Sequence, residues 1–154
     1  MSHIELVDAL SPDATTALET SLRDYNRDRN PDFWHARELP ANAARPLNVC
    51  ARNADGYAIG ALTGETQFKW LRVSLMSVEH SARRQGIGAG MMQLAEAEAN
   101  RRGCQYAYVD TMDYQARDFY ERLGYTVAGQ LDDWDSHGHA KLFLVKRLSA
   151  SQPE

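Results

Sequence analysis

The run RRQGIGAG, residues 83–90, sets two arginines ahead of three glycines where a helical pattern begins. Helix N-termini expose unpaired N–H groups and the positive end of the helix dipole, so such a run is a natural anion site. Glycines at 86, 88 and 90 remove the Cβ atoms that would hold a large anion off the backbone. Arg83 and Arg84 add full positive charges. Phosphate or pyrophosphate is the ligand this chemistry selects. The Walker loop GxxxxGK[ST] has no counterpart here, and the dinucleotide fingerprint GxGxxG breaks at Met91.

A second concentration of chemistry lies in LDDWDSHGHA, residues 131–140. On a strand, Asp133, Asp135, His137 and His139 would share one face and could ligate zinc. Gly138 signals a turn instead, and no metal is assigned. Asp132, Asp133 and Asp135 beside Trp134 suit a cationic acceptor through ion pairing and cation–π contact. The alternative is a hairpin whose acids only keep it solvated. Residues 26–40, NRDRNPDFWHARELP, mix Phe33 and Trp34 with charge in the same way. Glu79, His80, His137 and His139 are the side chains suited to accept a proton.

Bulk properties narrow the field. A chain of 154 residues with 44% hydrophobic and 25% charged content suits one soluble domain with a real core. A net charge of -4 argues against a nucleic-acid or membrane partner, whose binders carry basic stripes. The opening MSHIELVDAL is no signal peptide, and no apolar run is long enough to span a membrane, so the expected location is cytoplasmic. Cys50 and Cys104 read as small core residues of a reducing compartment.

The elements that would hold these groups follow from periodicity. IELVDA, residues 4–9, alternates as a short strand, and Ser11-Pro12 starts a helix with Leu18, Leu22 and Tyr25 on one face. Three prolines make the stretch from Asn30 to Pro46 a loop or short irregular helices. Two strands flank the turn Asp55-Gly56, and WLRVSLMSV adds a third in an antiparallel meander. A helix runs from Gly86 to about Arg102, followed by the strand YAYVD and the short helix QARDFYERLGY. TVAGQL and KLFLVKRL close the chain as a strand pair. The order β-α-β-β-β-α-β-α-β-β predicts an α/β (α+β) fold, a mixed and mostly antiparallel central sheet of about seven strands flanked by helices. A single domain over residues 1–148 and a disordered tail at 149–154 are expected.

RRQGIGAG matches the R/Q-x-x-G-x-G/A acetyl-CoA loop of the GNAT superfamily of N-acetyltransferases. SLMSVEHSARRQGIG, residues 74–88, resembles that superfamily's fourth strand running into its pyrophosphate loop. DYQARDFYERLGY, residues 113–125, resembles its later helix, N-x-x-A-x-x-[LF]-Y-x-x-x-G-[FY]. The element order agrees from residue 4 to residue 148. The resemblance implies acetyl-CoA as co-substrate and direct transfer within a ternary complex. Met76, Ser77 and Val78 would then line the thioester and pantetheine arm. Arg83, Arg84, Gln85, Gly86, Ile87, Gly88, Ala89 and Gly90 would cradle the pyrophosphate, with Tyr120 near the sulfur. Asp113 stands where the family commonly has a pantetheine-side asparagine, and Arg84 where a glycine is frequent.

Acetyl transfer needs an oxyanion donor, for which the Val78 N–H is suited, and a proton for the leaving sulfur, which Tyr120 can supply. Glu79 is a proton acceptor for the amine, directly or through water. In this fold the final hairpin and the segment after the first helix wall the acceptor, which assigns Phe33, Trp34, Asp132, Asp133, Trp134, Asp135, His137 and His139 to it. A small cationic amine is expected, with an aminoglycoside-type antibiotic as the leading form. A protein lysine or N-terminal acetyltransferase and a non-catalytic acyl-CoA-binding module are the alternatives. Exposed final strands make a homodimer an expectation as well.

Overall fold

A computed structural model of the chain describes residues 3–148, in two compact units divided between Ala43 and Ala44. In the first unit, helix α1 spans Pro12–Arg29, with the Ser11 hydroxyl accepting the Ala14 N–H at 3.2 Å. Asn30 ends α1 and starts α2, Pro31–Glu38, by accepting the Phe33 N–H on its side-chain oxygen at 3.3 Å. Pro31 thus begins a regular helix, because the first helical position needs no N–H donor. A 3-10 turn follows at Pro40–Asn42. Residues 4–9 form no strand. Their alternation is real, but no neighbouring strand pairs with it.

The second unit holds a sheet of six strands, β1 Arg45–Arg52, β2 Ala58–Gln67, β3 Trp70–Val78, β4 Tyr106–Met112, β5 Thr126–Leu131 and β6 Lys141–Arg147. Their order is β1-β2-β3-β4-β6-β5. Every pairing is antiparallel except β3 with β4. The β1–β2 turn uses Gly56 at φ +87°, with the Asn53 side chain accepting the N–H groups of Asp55 and Tyr57. Helix α3, Ile87–Arg101, packs across β1, β2 and β3. Its buried face is Met91, Met92, Ala95 and Ala99, against Leu62, Leu71 and Val73 of the sheet. Helix α4, Arg117–Arg122, adds Tyr120 to the same core, and Gly124 at φ +89° ends it ahead of the buried Tyr125. Cys104 is buried in that core, whereas Cys50 is exposed, so only one of the two cysteines is a core residue. The tail at 149–154 lies outside the described residues.

One irregularity shapes everything functional. β3 and β4 pair only from Trp70↔Tyr106 to Val73↔Val109. At that point the β2–β3 register slips, with Thr63 facing Leu75 and Gly64 facing Val73, which leaves Ser74 as an extra residue on β3. A bulge of this kind bends its strand and raises the local twist. Gly64 makes room for it, because a Cβ there would stand 2.4 Å from the Arg72 carbonyl oxygen. Past the bulge β3 stays with β2 and β4 stays with β6, so the middle of the sheet opens.

Candidate active site at the splayed strands

The opening is a cleft of about 830 Å³ lined by the end of β3, the loop into α3, the end of β4 and one side of α4. Its first wall is backbone. The Glu79 N–H donates to the Ile59 carbonyl at 2.9 Å. Donors alternate sides along a strand, so the N–H groups of Met76 and Val78 turn away from β2, toward the opening. The Val78 carbonyl accepts from Arg83 Nε at 3.0 Å, which ties the following loop to the strand end.

The second wall is the loop itself. Arg84 and Gly86 both take left-handed conformations, φ +62° and +78°, a geometry that turns successive amides toward a common point. No side chain caps α3, and the Gly90 N–H, bound to the Gly86 carbonyl at 2.9 Å, is the first in the helix to find an acceptor there. The amides of Ile87, Gly88 and Ala89 therefore face the cleft without intrahelical partners. Gly88 has a packing reason too. A Cβ on it would lie 3.3 Å from the Phe119 ring, so its absence seats α3 against α4.

Tyr120 closes the third side. It is buried, edge-on to Phe119 at 5.1 Å and to Tyr125 at 5.7 Å. Burial, and then the charge of Asp110, push its phenol up, so it stays protonated at neutral pH. Behind it Tyr125 donates to Glu96 Oε1 at 3.0 Å, and Glu96 Oε2 pairs with Lys146 at 2.6 Å. One half-buried carboxylate on α3 thus anchors both Tyr125, whose ring meets Tyr120, and Lys146 of β6.

Of the residues expected at a coenzyme site, the cleft gathers Met76, Ser77, Val78, Arg83, Arg84, Gly86, Ile87, Gly88, Ala89 and Tyr120. Gln85 turns back to the Ser81 carbonyl at 3.2 Å, and Gly90 lies one residue behind the lining. Glu79 and His80 are exposed and outside the lining. Asp113 is outside it as well, because its carboxylate faces the last hairpin. Oδ2 accepts the Ala140 N–H at 3.0 Å and Oδ1 meets His139 Nδ1 at 3.2 Å. The Ala140 amide, helped by His139, holds that carboxyl below the usual range.

The hairpin residues Asp132, Asp133, Trp134, Asp135, His137 and His139 do not line the cleft. Their loop folds on its own polar groups. Asp133 Oδ1 accepts the Gly138 N–H at 2.7 Å, and Asp135 Oδ1 accepts those of His137 and His139 at 2.8 and 3.2 Å. Asp132 accepts from the Gln130 amide. His137 Nδ1 meets the Asp135 carbonyl at 2.7 Å, and His139 sets its ring edge-on to Tyr114, a cleft residue, at 4.7 Å. Phe33 and Trp34 belong to the first unit, where they meet edge-on on α2 at 6.1 Å. Among the described residues no group of three or more His, Cys, Asp or Glu could hold a metal ion. No described helix is long and apolar enough to cross a membrane.

Asp110 was not legible as a site residue. It lies on β4 just past the last residue paired with β3, and it lines the cleft. The available signal was an acid ending the apolar run YAYV, whose alternate residues Ala107 and Val109 are core.

Comparison with known proteins agrees with this geometry. Residues 45–127 match the family model described as Acetyltransferase (GNAT) domain. The chain is 38% identical over 131 residues to blasticidin-S acetyltransferase of Streptomyces morookaense, covering 82% of this chain and 96% of that protein. It is 37% identical over 143 residues to an acetyltransferase of Agrobacterium fabrum, covering 93% and 97% of the two chains. The crystal structure of an acetyltransferase from Bacillus cereus shares the fold at TM-score 0.75 and 24% identity, over 94% of this chain and 98% of that one.

Proposed function

Because the chain belongs to the GNAT family of acetyltransferases, we propose that it moves the acetyl group of acetyl-CoA to a primary amine of a small cationic molecule of the antibiotic type. The observation that carries this reading is one cleft combining open strand amides, an uncapped glycine-rich helix start and a buried, protonated tyrosine. The name of the Streptomyces relative supports the small-molecule acceptor.

The residues fit the coenzyme. Open amides at Ile87, Gly88 and Ala89, with Arg83 and Arg84 beside them, form a cradle for a pyrophosphate. Bound acetyl-CoA supplies an acyl group activated as a thioester. The Val78 N–H donates to the carbonyl oxygen as charge builds there, in a site where a fixed donor needs no reorganisation. Tyr120 gives its proton to the sulfur as it leaves, and its raised pKa keeps that proton in place until then. Glu79, exposed beyond the lining, takes the amine's proton through water. Holding both reactants in one cleft accounts for much of the rate, so a remote base suffices.

The test is thiol release from acetyl-CoA across blasticidin S, aminoglycosides and peptides with free lysine or N-terminal amines. Release with the small cationic amines is expected. Release with peptides alone would make the chain a protein acetyltransferase, and coenzyme binding with no release would make it a binding module.

A further inference from the structure

We infer that Asp110 is the counter-charge that docks a cationic group of the acceptor, held in place from behind by Lys141 and Tyr108. The inference rests on the proposed acetyl transfer to a cationic amine and names the residue that selects for it.

Position comes first. β4 leaves β3 after Val109, so Asp110 is the first β4 residue in the open part of the sheet, across from the β3 end that carries Val78. Its charge reaches the Tyr120 phenol, so it stands near the reacting centre. Charge comes second. The other ionic side chains lining the cleft, Arg83, Arg84 and Arg122, are all cationic, and Asp110 is the one acid among the lining residues described. A positively charged acceptor has no other carboxylate to meet there, since Asp132, Asp133 and Asp135 do not line the cleft.

Orientation comes third. Asp110 Oδ2 pairs with Lys141 Nζ at 2.8 Å, and Oδ1 accepts from the Tyr108 hydroxyl at 3.3 Å. Lys141 is itself seated over the rings of Trp134 at 5.0 Å and Phe143 at 5.8 Å, and it does not line the cleft. Asp110 thus lines the cleft while its carboxylate is held by two groups outside the lining. Two oxygens offer roughly four acceptor directions, and two are in use, so capacity remains for a ligand cation. Trp134 of the hairpin then acts on the acceptor at one remove, by fixing Lys141, which fixes Asp110.

Two variants test this, Asp110→Asn and the charge-neutral pair Asp110→Asn with Lys141→Met. Blasticidin S and an aminoglycoside are titrated calorimetrically into the coenzyme A complex, and acceptor KM is measured where turnover occurs. Both variants should weaken amine binding by about 10-fold or more while acetyl-CoA KM stays within about twofold, the pattern of a lost charge partner in the acceptor site alone. Recovery of wild-type amine binding in the paired variant would overturn the inference, because Asp110 would then serve only to neutralise Lys141. Unchanged binding in Asp110→Asn, or no amine binding by the wild type, would overturn it too. Binding without turnover would sink the proposed transfer and leave the docking role standing.

Discussion

The glycine loop at 83–90 and the hairpin loop at 132–140 are both short, polar and rich in left-handed backbone, yet they use their polar groups in opposite ways. In the first, Arg84 and Gly86 turn the chain so that amides at the head of α3 face an open cleft. In the second, Asp133 and Ser136 turn the chain so that amides meet Asp133 and Asp135 of the same loop. Unpaired backbone donors are costly when they have no partner, so a loop that keeps several of them open is shaped for a ligand. A loop that satisfies itself is shaped for rigidity. Residue types pointed to the glycine loop for a phosphate and to the hairpin for a cationic acceptor, with a merely solvated hairpin as the alternative.

The largest effect is expected at Tyr120, the acid proposed for the cleft. Tyr120→Phe should lower kcat by about 100-fold or more, since it removes the proposed proton donor but no packing, while coenzyme affinity holds. A kcat within about twofold of wild type would show that the cleft needs no acid at this position. Next comes the open loop. Arg83→Ala with Arg84→Ala should raise acetyl-CoA KM about 10-fold with a smaller change in kcat, and the loss should shrink at high salt as screening removes the same attraction. A fall in kcat alone would mean that the arginines serve the strand end, where Arg83 holds the Val78 carbonyl, and not the phosphate.

The hairpin should respond in stability before activity. Asp133→Ala loses the acceptor for the Gly138 N–H and forces alanine to φ +49°, a cost of about 1–2 kcal/mol visible as a lowered Tm. Asparagine at 132, 133 and 135 together keeps the acceptor oxygens and should move neither Tm nor acceptor KM much. A large rise in KM would return acceptor selection to the hairpin.

The smallest effect belongs to the closed end of α3, the counterpart of its open start. Arg102 reaches the Pro46 carbonyl at 2.9 Å and the Thr66 hydroxyl at 3.1 Å, and Glu98 pairs with both Arg101 and Arg102. Those guanidinium groups bring the Glu98 carboxyl from 4.5 down to about 2. A depressed folded-state pKa contributes stability above about pH 4.5 that is lost as pH falls toward 2. Glu98→Gln should flatten that part of a Tm-against-pH curve, and an unaltered acid limb would show the pair to be idle in solution.

Much of the fold was legible because it is local. The alternation in WLRVSLMSV marked β3 from Trp70 to Val78, and Asp55-Gly56 marked the first hairpin. The proline-rich segment was harder. Pro31 reads as a breaker until Asn30 is seen capping the helix it opens. IELVDA failed because a strand is made by its neighbour, and alternation cannot show whether one exists. Within the site, the glycine loop was legible for the same local reason. Asp113 stands outside the cleft lining because its carboxylate is claimed by the Ala140 amide, a partner 27 residues away.

By itself, the sequence determined the chemistry available near the helix start: glycines and arginines at 83–90, and the tyrosine of DFYERLGY, read directly from spacing. Tertiary structure alone decided which groups share a cleft. The bulge at Ser74, admitted by Gly64, parts β3 from β4 and so brings Val78 and Asp110 to the lining of one space. That parting depends on a carbonyl eight residues from Gly64 along the chain and on strands paired across some 35 residues. No pattern of residue types within a single element contains those distances.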